Sequence, residues 1–231
     1  MENPNANSIV TVNTVNEAWE HWYHALSNMN LDEGSRDGAV CGEFINAITV
    51  INDPTRNIVT SDIRKMPIRY AVGELLWYLS GSNKLSDIKQ FSKAWDNLSD
   101  DGETVNSAYG YRIFEKFGFN QWEHVKELLW KDPNSRQAVI HIKEPNPMPT
   151  KDLPCTVCLQ YLIRNNKLYA TTYMRSNDIW LGFPYDVFTF TCLQMKLAME
   201  LGVEVGTYTH IAGSLHLYSR NKVEQKSQNH E

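Results

Sequence analysis

The side chains best suited to chemistry are concentrated between residues 153 and 218. This stretch offers a thiol, a guanidinium with a neighbouring hydroxyl, two carboxylates, an imidazole and a phenol, namely Cys155, Arg175, Ser176, Asp178, Asp186, His216 and Tyr218. A thiolate attacks electrophilic carbon, arginine binds phosphate or carboxylate through paired hydrogen bonds, and carboxyl and imidazole groups transfer protons. Because these residues fall at predicted strand ends and loops, the stretch predicts a binding or catalytic site.

Each of these residues also has an ordinary structural explanation. A single cysteine is more often a small hydrophobe than a nucleophile, and activation needs a nearby cation such as Arg136 or Arg175. The Arg-Ser-x-Asp run at 175–178 is by itself typical of a surface salt bridge. Cys155 and Cys158 form a C-x-x-C pair, but strand alternation would place them on opposite faces and no second pair exists. We therefore expect no metal site.

Glu74 stands within an apolar stretch that predicts a helix over residues 68–79. At 3.6 residues per turn it shares a face with Ala71, Leu75 and Tyr78. The side chain is then either the solvated edge of an amphipathic helix or a desolvated acid. In the second case burial raises its pKa and suits it to proton transfer at neutral pH.

Length, composition and charge restrict the class of protein. The chain has 231 residues, of which 42% are hydrophobic, so we expect one domain over residues 1–231 with a substantial core. A net charge of −5 argues against a DNA-binding surface, and no apolar run is long enough to span a membrane. The N-terminus lacks the pattern of a signal peptide, and four cysteines are typical of the reducing cytoplasm.

Periodicity and turn residues predict helices mixed with strands. Helices are predicted over 14–29, 68–79, 85–95, 119–131 and 187–202, and strands over 43–51, 58–61, 138–142, 156–164, 168–174 and 205–217. Residues 1–13 and 219–231 are predicted to be loose. Because the strands and helices do not alternate as in βαβ units, the expected fold class is α+β.

Seven sequence blocks, in one order, resemble those of the thymidylate synthase family. They are Gly-Glu-Leu-Leu-Trp at 73–77, Asp-Pro-Asn-Ser-Arg at 132–136, Leu-Pro-Cys at 153–155, Gln-Tyr at 160–161, Tyr-Met-Arg-Ser-Asn-Asp at 173–178, Leu-Gly-Phe-Pro-Tyr-Asp at 181–186 and His-Leu-Tyr at 216–218. The resemblance extends over roughly residues 35–220. It implies a large mixed β-sheet with flanking helices, and a homodimer that associates through the sheet and shares its active sites.

The resemblance also implies a reaction. The family adds a one-carbon unit from 5,10-methylenetetrahydrofolate to carbon 5 of a pyrimidine nucleoside monophosphate. A cysteine matching Cys155 attacks carbon 6, and a glutamate matching Glu74 handles protons. Binding roles follow for nine further residues. Phosphate is held by residues matching Arg36, Arg175, Ser176 and, from the second subunit, Arg136; the deoxyribose contacts match His216 and Tyr218; the pocket near the folate matches Trp95, Tyr109 and Asp178.

Asp186 stands where uracil-specific members of the family have asparagine. Uracil shows a ring N–H donor and a carbonyl acceptor, which an amide matches, whereas cytosine shows a bare ring nitrogen and an amine, which a protonated carboxyl matches. Thr156, Met174 and Ser214 also replace usual family residues. These departures resemble the deoxycytidylate hydroxymethylases of T-even bacteriophages. We accordingly expect the Asp186→Asn variant to lose turnover of dCMP and to gain turnover of dUMP. The alternative is that Asp186 is only a helix N-cap after Pro184.

The expected activity is therefore that of a deoxycytidylate 5-hydroxymethyltransferase with Cys155, Glu74 and Asp186 as catalytic residues, working in the host cytoplasm if a phage encodes it. Two alternatives stay open, a methylase of dCMP or dUMP and a catalytically silent homologue that binds nucleotide or RNA. The chain stops soon after Tyr218, whereas synthases continue and close over the folate. In the synthases this closure excludes water from the site. Because the present chain stops before the closing segment, we expect water to capture the one-carbon unit.

Overall fold

The computed structural model describes residues 8–29, 39–145 and 148–222, and the backbone of residues 32–33. Within these residues, eight strands form one mixed sheet: β1 (Ile9–Val12), β2 (Asp32–Glu33), β3 (Val40–Ile51), β4 (Val139–His141), β5 (Thr156–Arg164), β6 (Lys167–Met174), β7 (Asn177–Asp178) and β8 (Glu204–Tyr218). Their order is β1-β3-β8-β6-β5-β4, with β2 beside β3 and β7 beside β8. Parallel pairs (β1–β3, β6–β8, β7–β8) are mixed with antiparallel ones. This architecture confirms the predicted α+β class with a large mixed sheet.

Helices flank the sheet and end where local chemistry allows. They are α1 (Val15–Ser27), α2 (Ile68–Ser80), α3 (Leu85–Lys89), α4 (Tyr109–Phe114), α5 (Gln121–Lys131) and α6 (Phe183–Leu201), with 3-10 turns at Lys93–Asn97 and Ser219–Asn221. Thr14 caps α1 by accepting the N–H of Glu17 at 3.2 Å. Gly81 and Gly202 end α2 and α6 in the left-handed conformation, which glycine adopts without steric cost.

The core lies between one face of the sheet and the helices. Along the first part of β8, alternate side chains such as Tyr208, His210 and Ala212 are buried. On the helix side Trp19 and Trp22 have no exposed surface. Each large apolar side chain buried in this way contributes roughly 1.5–3 kcal/mol relative to the exposed state. The intervening residues on the opposite face of the sheet stay partly exposed, including Ile45 at 40% and Tyr173 at 38%.

Several predicted elements differ from the structure because their partners are distant in sequence. Residues 9–12, predicted to be loose, form β1 by pairing in parallel with Ile48–Ile51 of β3. The strand predicted over 58–61 alternates in burial but pairs with no strand in the part of the chain that the structure describes; the N–H of Thr60 instead donates to the Asn16 side chain at 2.7 Å. Helix α6 begins at 183, four residues earlier than predicted, which places Asp186 in its first turn.

Helix α4 lies in a segment for which no helix was predicted, and the helix predicted over 85–95 is divided into α3 and a 3-10 turn. Gly110 explains how closely α4 packs on α2, because a Cβ at that position would lie 2.0 Å from the carbonyl oxygen of Tyr78. This close approach places Tyr109 beside Tyr78 at the wall of a cleft.

Candidate active site

One cleft, with a volume of about 530 Å³, is bordered by α2, the end of β8 and the N-terminus of α6. Ten of the twelve predicted site residues line it: Glu74, Trp95, Tyr109, Cys155, Arg175, Ser176, Asp178, Asp186, His216 and Tyr218. Arg136 does not line it and is exposed shortly before β4. Arg36 lies outside the described residues. The tertiary structure thus brings together groups from six separate segments of the chain, at 74, 95, 109, 155, 175–186 and 216–218.

Cys155 lies directly before β5, where the pairing with β6 shifts register between residues 156 and 158. Such a bulge breaks the regular alternation of side chains and re-aims its neighbours. The hydroxyl of Tyr109 accepts the N–H groups of both Cys155 and Thr156, each at 3.2 Å. Burial and the nearby charge of Asp186 raise the pKa of Tyr109. The phenol therefore stays neutral and anchors the backbone on which the thiol stands.

Arg175 holds the same segment from the other side. Its Nε donates to the carbonyl of Pro154 at 3.1 Å and its Nη2 donates to that of Leu153 at 3.0 Å. Its backbone N–H donates to the carbonyl of Cys155 at 2.8 Å. A guanidinium has five N–H donors, so these bonds leave others for an anion. The arrangement fixes a positive charge beside the loop that carries the thiol.

Glu74 is buried, with 6% of its surface exposed, so the solvated-edge explanation does not hold. The hydroxyl of Tyr70 accepts the indole N–H of Trp95 at 3.1 Å and donates to Glu74 Oε1 at 2.9 Å. Burial, followed by repulsion from Asp186, raises the pKa of Glu74 from 4.5 to about 8, and the Tyr70 hydrogen bond offsets part of this rise.

Asp186 is half-buried in the first turn of α6, and its Oδ2 accepts a hydrogen bond from Asn177 Nδ2 at 2.8 Å. The N-cap of α6 is Gly182, and no side chain caps the helix, so Asp186 is not the N-cap. Burial raises the pKa of Asp186 from 3.8 to about 7; repulsion from Asp178 adds to the rise, and the Asn177 bond opposes it.

These two carboxyl groups form a coupled pair. Each carries a negative charge when ionised, so the ionisation of one disfavours that of the other. With pKa values of about 8 and about 7, they keep protons at neutral pH that ordinary carboxyl groups have lost. Two acids of this kind in the same cleft as a thiol can donate and accept protons during a reaction at the thiol.

The remaining walls of the cleft carry groups suited to binding. The rings of His216 and Tyr218 meet edge to face at 5.1 Å. Asp178 Oδ1 accepts the backbone N–H groups of Trp180 at 2.7 Å and Leu181 at 3.0 Å, so it orders the loop before α6. Leu181 itself is 55% exposed and lines the cleft.

Several polar residues of the cleft were not predicted as site residues, among them Tyr70, Asn177 and Asp152. Tyr70 lies four residues before Glu74, a helical spacing that could have indicated the contact. Asn177 occupies the variable position of the Arg-Ser-x-Asp run, where nothing in the sequence distinguishes it. Asp152 accepts a short hydrogen bond from the Ser107 hydroxyl, and burial raises its pKa. Its partner is distant in sequence, so no local pattern indicates this pair.

Cys158 lies on β5 and does not line the cleft; burial raises its pKa, which disfavours its thiolate. Among the described residues, no group of three or more His, Cys, Asp or Glu side chains is placed to hold a metal ion. Nor does any helix in the described part of the chain combine the length and apolar character needed to cross a membrane.

Comparison with known proteins identifies the family of the chain. The family model described as thymidylate synthase matches residues 21–230. A curated relative, the deoxyuridylate hydroxymethyltransferase of Bacillus phage SP01, is 35% identical over 166 residues. That alignment covers 64% of this chain and 43% of the relative, so the chain matches less than half of the relative's length. Because the family model covers nine-tenths of the sequence, the chain belongs to the thymidylate synthase family.

Proposed function

We propose that this chain is a folate-dependent hydroxymethyltransferase that acts on carbon 5 of dCMP. The observation that carries the proposal is the cleft itself. Cys155 stands at the entrance of a strand, beside a fixed guanidinium, in a cleft with two carboxyl groups that keep protons at neutral pH. A catalytically silent homologue would have no need of two desolvated acids, which are costly to bury.

The nucleotide is held through its phosphate and sugar. Arg175 and Ser176 bind the phosphate within the cleft, together with Arg36 and, from a second subunit, Arg136. Guanidinium groups suit this task because their paired donors match the geometry of phosphate oxygens. His216 and Tyr218, which also line the cleft, contact the deoxyribose.

The thiolate of Cys155 adds to carbon 6 of the pyrimidine, which makes carbon 5 nucleophilic. Negative charge develops on the ring, and a protonated Asp186 offsets it at the ring nitrogen. When bound, 5,10-methylenetetrahydrofolate supplies the one-carbon unit. In its ionised form Glu74 accepts the proton that leaves carbon 5, and it orders the water whose oxygen completes the hydroxymethyl group. The ring double bond then re-forms as the sulfur leaves, and the products are 5-hydroxymethyl-dCMP and tetrahydrofolate.

Cytosine is the preferred base because Asp186 is an acid and not an amide. At a pKa of about 7 its carboxyl group is available in the protonated form, which donates to a bare ring nitrogen while its second oxygen accepts from the exocyclic amine. An ionised carboxylate would instead face the uracil carbonyl with an unpaired acceptor, at a cost of about 1–3 kcal/mol.

The folate site lies along the apolar wall of the cleft. Trp95, Leu98, Leu181 and Tyr185 all line the cleft. Leu181 leaves 55% of its surface exposed, which a flat heterocycle would cover. Asp178 and Tyr109 lie in the same cleft and supply polar groups. The residues present therefore fit a folate.

We place two such chains in a homodimer that shares its active sites. The face of the sheet opposite the core keeps large side chains partly exposed, among them Ile45 and Tyr173. Arg136 is exposed and lies outside the cleft of its own chain, as expected if it serves the neighbouring one. We place the enzyme in the cytoplasm, that of the host if a phage encodes it, because its cysteines suit a reducing compartment.

A second candidate function is hydroxymethylation of dUMP. The name of the phage SP01 relative favours it, since that protein is described as a deoxyuridylate hydroxymethyltransferase. The same name favours a hydroxymethyl product over a methyl product. Asp186 is the observation in this chain that favours cytosine.

Product analysis tests the proposal directly. The purified protein is incubated with 5,10-methylenetetrahydrofolate and dCMP, dUMP or CMP in parallel, and products are identified by mass spectrometry. We expect 5-hydroxymethyl-dCMP as the main product and none from Cys155→Ala. If dUMP is the main substrate, the proposed base is uracil and not cytosine. If the product carries a methyl group, the chain is a methylase. In a parallel assay the nucleotides carry tritium at carbon 5. If none of them releases tritium, the chain is a catalytically silent binding protein.

A further inference from the structure

A chain of buried polar side chains leads from β8 to Asp186. The Tyr208 hydroxyl lies 3.0 Å from His210 Nδ1, and His210 Nε2 lies 3.0 Å from Asn177 Oδ1. Asn177 Nδ2 then donates to Asp186 Oδ2 at 2.8 Å. We infer that Asn177 and His210 are positioning residues that fix which oxygen of Asp186 carries the proton, and thereby which base the site reads. The inference deepens the proposed function, since it takes Asp186 to face the base.

The direction of each hydrogen bond follows from the groups involved. An amide oxygen only accepts, so His210 Nε2 must carry a hydrogen. Burial lowers the pKa of His210 to about 3, so its ring is neutral and Nδ1 has a lone pair that accepts from Tyr208. The reverse orientation of Asn177 would require the other histidine tautomer. In that tautomer His210 Nδ1 would carry the hydrogen, so the Tyr208 hydroxyl would lose the acceptor that it has here.

Gly182 provides separate evidence that the Asn177–Asp186 bond is built into the fold. A Cβ at Gly182 would lie 2.8 Å from Asn177 Nδ2 and 3.0 Å from Asp186 Oδ2. The φ angle of Gly182 is −97°, which any residue adopts, so its backbone conformation does not require glycine. Glycine is needed at this position because the hydrogen bond leaves no room for a side chain.

The bond determines what Asp186 presents to a ligand. Because Oδ2 accepts from Asn177, the proton of the neutral acid lies on Oδ1. Oδ1 then donates and Oδ2 accepts, and Oδ2 still has one lone pair free. In the cytosine complex Oδ1–H meets the ring nitrogen and Oδ2 meets the amine. Uracil would present a donor to a donor and an acceptor to an acceptor.

This polarity changes what Asp186→Asn should do. With Asn177 intact, the new amide oxygen takes the Oδ2 position and its NH2 group takes the Oδ1 position. The side chain still presents a donor and an acceptor in the order that suits cytosine, in contrast to the exchange of bases predicted from the sequence. In the double variant Asn177→Asp/Asp186→Asn, residue 177 accepts from both His210 and the new amide. The amide is thereby turned over and presents the uracil pattern.

The test compares kcat/KM for dCMP and dUMP in the wild type and in both variants. We expect Asp186→Asn to keep a preference for dCMP and the double variant to prefer dUMP by about tenfold or more. The same preference in both variants would overturn the inference, whichever base the wild type prefers. If the wild type prefers dUMP, the proposed base is wrong. Opposite base preferences in the two variants would still support the inference that Asn177 sets the order of donor and acceptor at residue 186.

Further variants keep the inference testable if the double variant does not fold. Gly182→Ala leaves every polar group in place and only crowds the bond, so it should reduce discrimination between the bases. His210→Gln can still donate to the Asn177 oxygen and should retain more discrimination than His210→Phe. Thr189→Val is the matched control, because it removes a hydroxyl buried to a similar degree on α6. If Gly182→Ala and His210→Phe match this control in base preference at equal Tm, Asn177 is only a core residue.

Discussion

The burial of Glu74 predicts a specific dependence of stability on pH. In the native protein the pKa of Glu74 is about 8, against its ordinary value of 4.5 in the unfolded chain. Between these pH values the unfolded chain has lost the proton while the native protein keeps it. Because the native state then binds more protons, the free energy of unfolding falls as the pH rises through this range.

The size of the effect follows from the same two values. Each pH unit corresponds to about 1.4 kcal/mol, so Glu74 lowers the free energy of unfolding by about 3 kcal/mol at pH 7 and by about 5 kcal/mol above pH 8. The side chain is 6% exposed, so solvent screening reduces these upper values little. Glu74→Gln removes the titration and keeps both the size of the side chain and an oxygen that can accept from Tyr70.

Urea unfolding of the wild type and Glu74→Gln, from about pH 5 to about pH 9, measures this difference. We expect the variant to gain stability relative to the wild type as the pH rises, with a slope of about 1.4 kcal/mol per pH unit that ends near pH 8. Glu127→Gln, which removes an exposed carboxyl group of α5, is the control. A difference between wild type and Glu74→Gln that stays constant with pH would refute the reasoning, because Glu74 would then be solvated.

Three further predictions concern activity. Cys155→Ala should abolish turnover and leave nucleotide binding measurable by calorimetry, whereas Cys158→Ala should remain active; the opposite result would place the nucleophile elsewhere. Mixed Arg136→Ala and Cys155→Ala subunits, each inactive alone, should recover activity through hybrid sites, and no recovery despite proven subunit exchange would count against sharing. Tyr109→Phe keeps the ring contacts with Tyr78 and Phe190 but leaves two backbone N–H groups without their acceptor. We expect it to lower the free energy of unfolding by about 2–4 kcal/mol and to reduce kcat, as measured by urea unfolding and steady-state kinetics; unchanged stability would show that water replaces the hydroxyl.

The sequence by itself determined the family and most of the cleft. Cys155 after proline and Asp186 after Gly-Phe-Pro-Tyr belong to sequence blocks that resemble those of the family, so their order along the chain is informative without coordinates. Helical periodicity also placed Glu74 on the face of α2 that proves to be buried, because 3.6 residues per turn is a local property. Thr14 and Gly81, which lie at helix ends in the structure, are residue types that favour these positions.

Only the tertiary structure decided how these groups are tuned. Burial raises the pKa of both Glu74 and Asp186; repulsion from Asp186 adds to the rise at Glu74, and repulsion from Asp178 adds to the rise at Asp186. Glu74 and Asp186 lie on different helices. Asn177 and His210 are 33 residues apart and meet because β7 and β8 lie side by side. Strand β1 exists only through its pairing with β3. Periodicity and propensity describe neighbours along the chain, whereas desolvation and hydrogen-bond direction depend on neighbours in space.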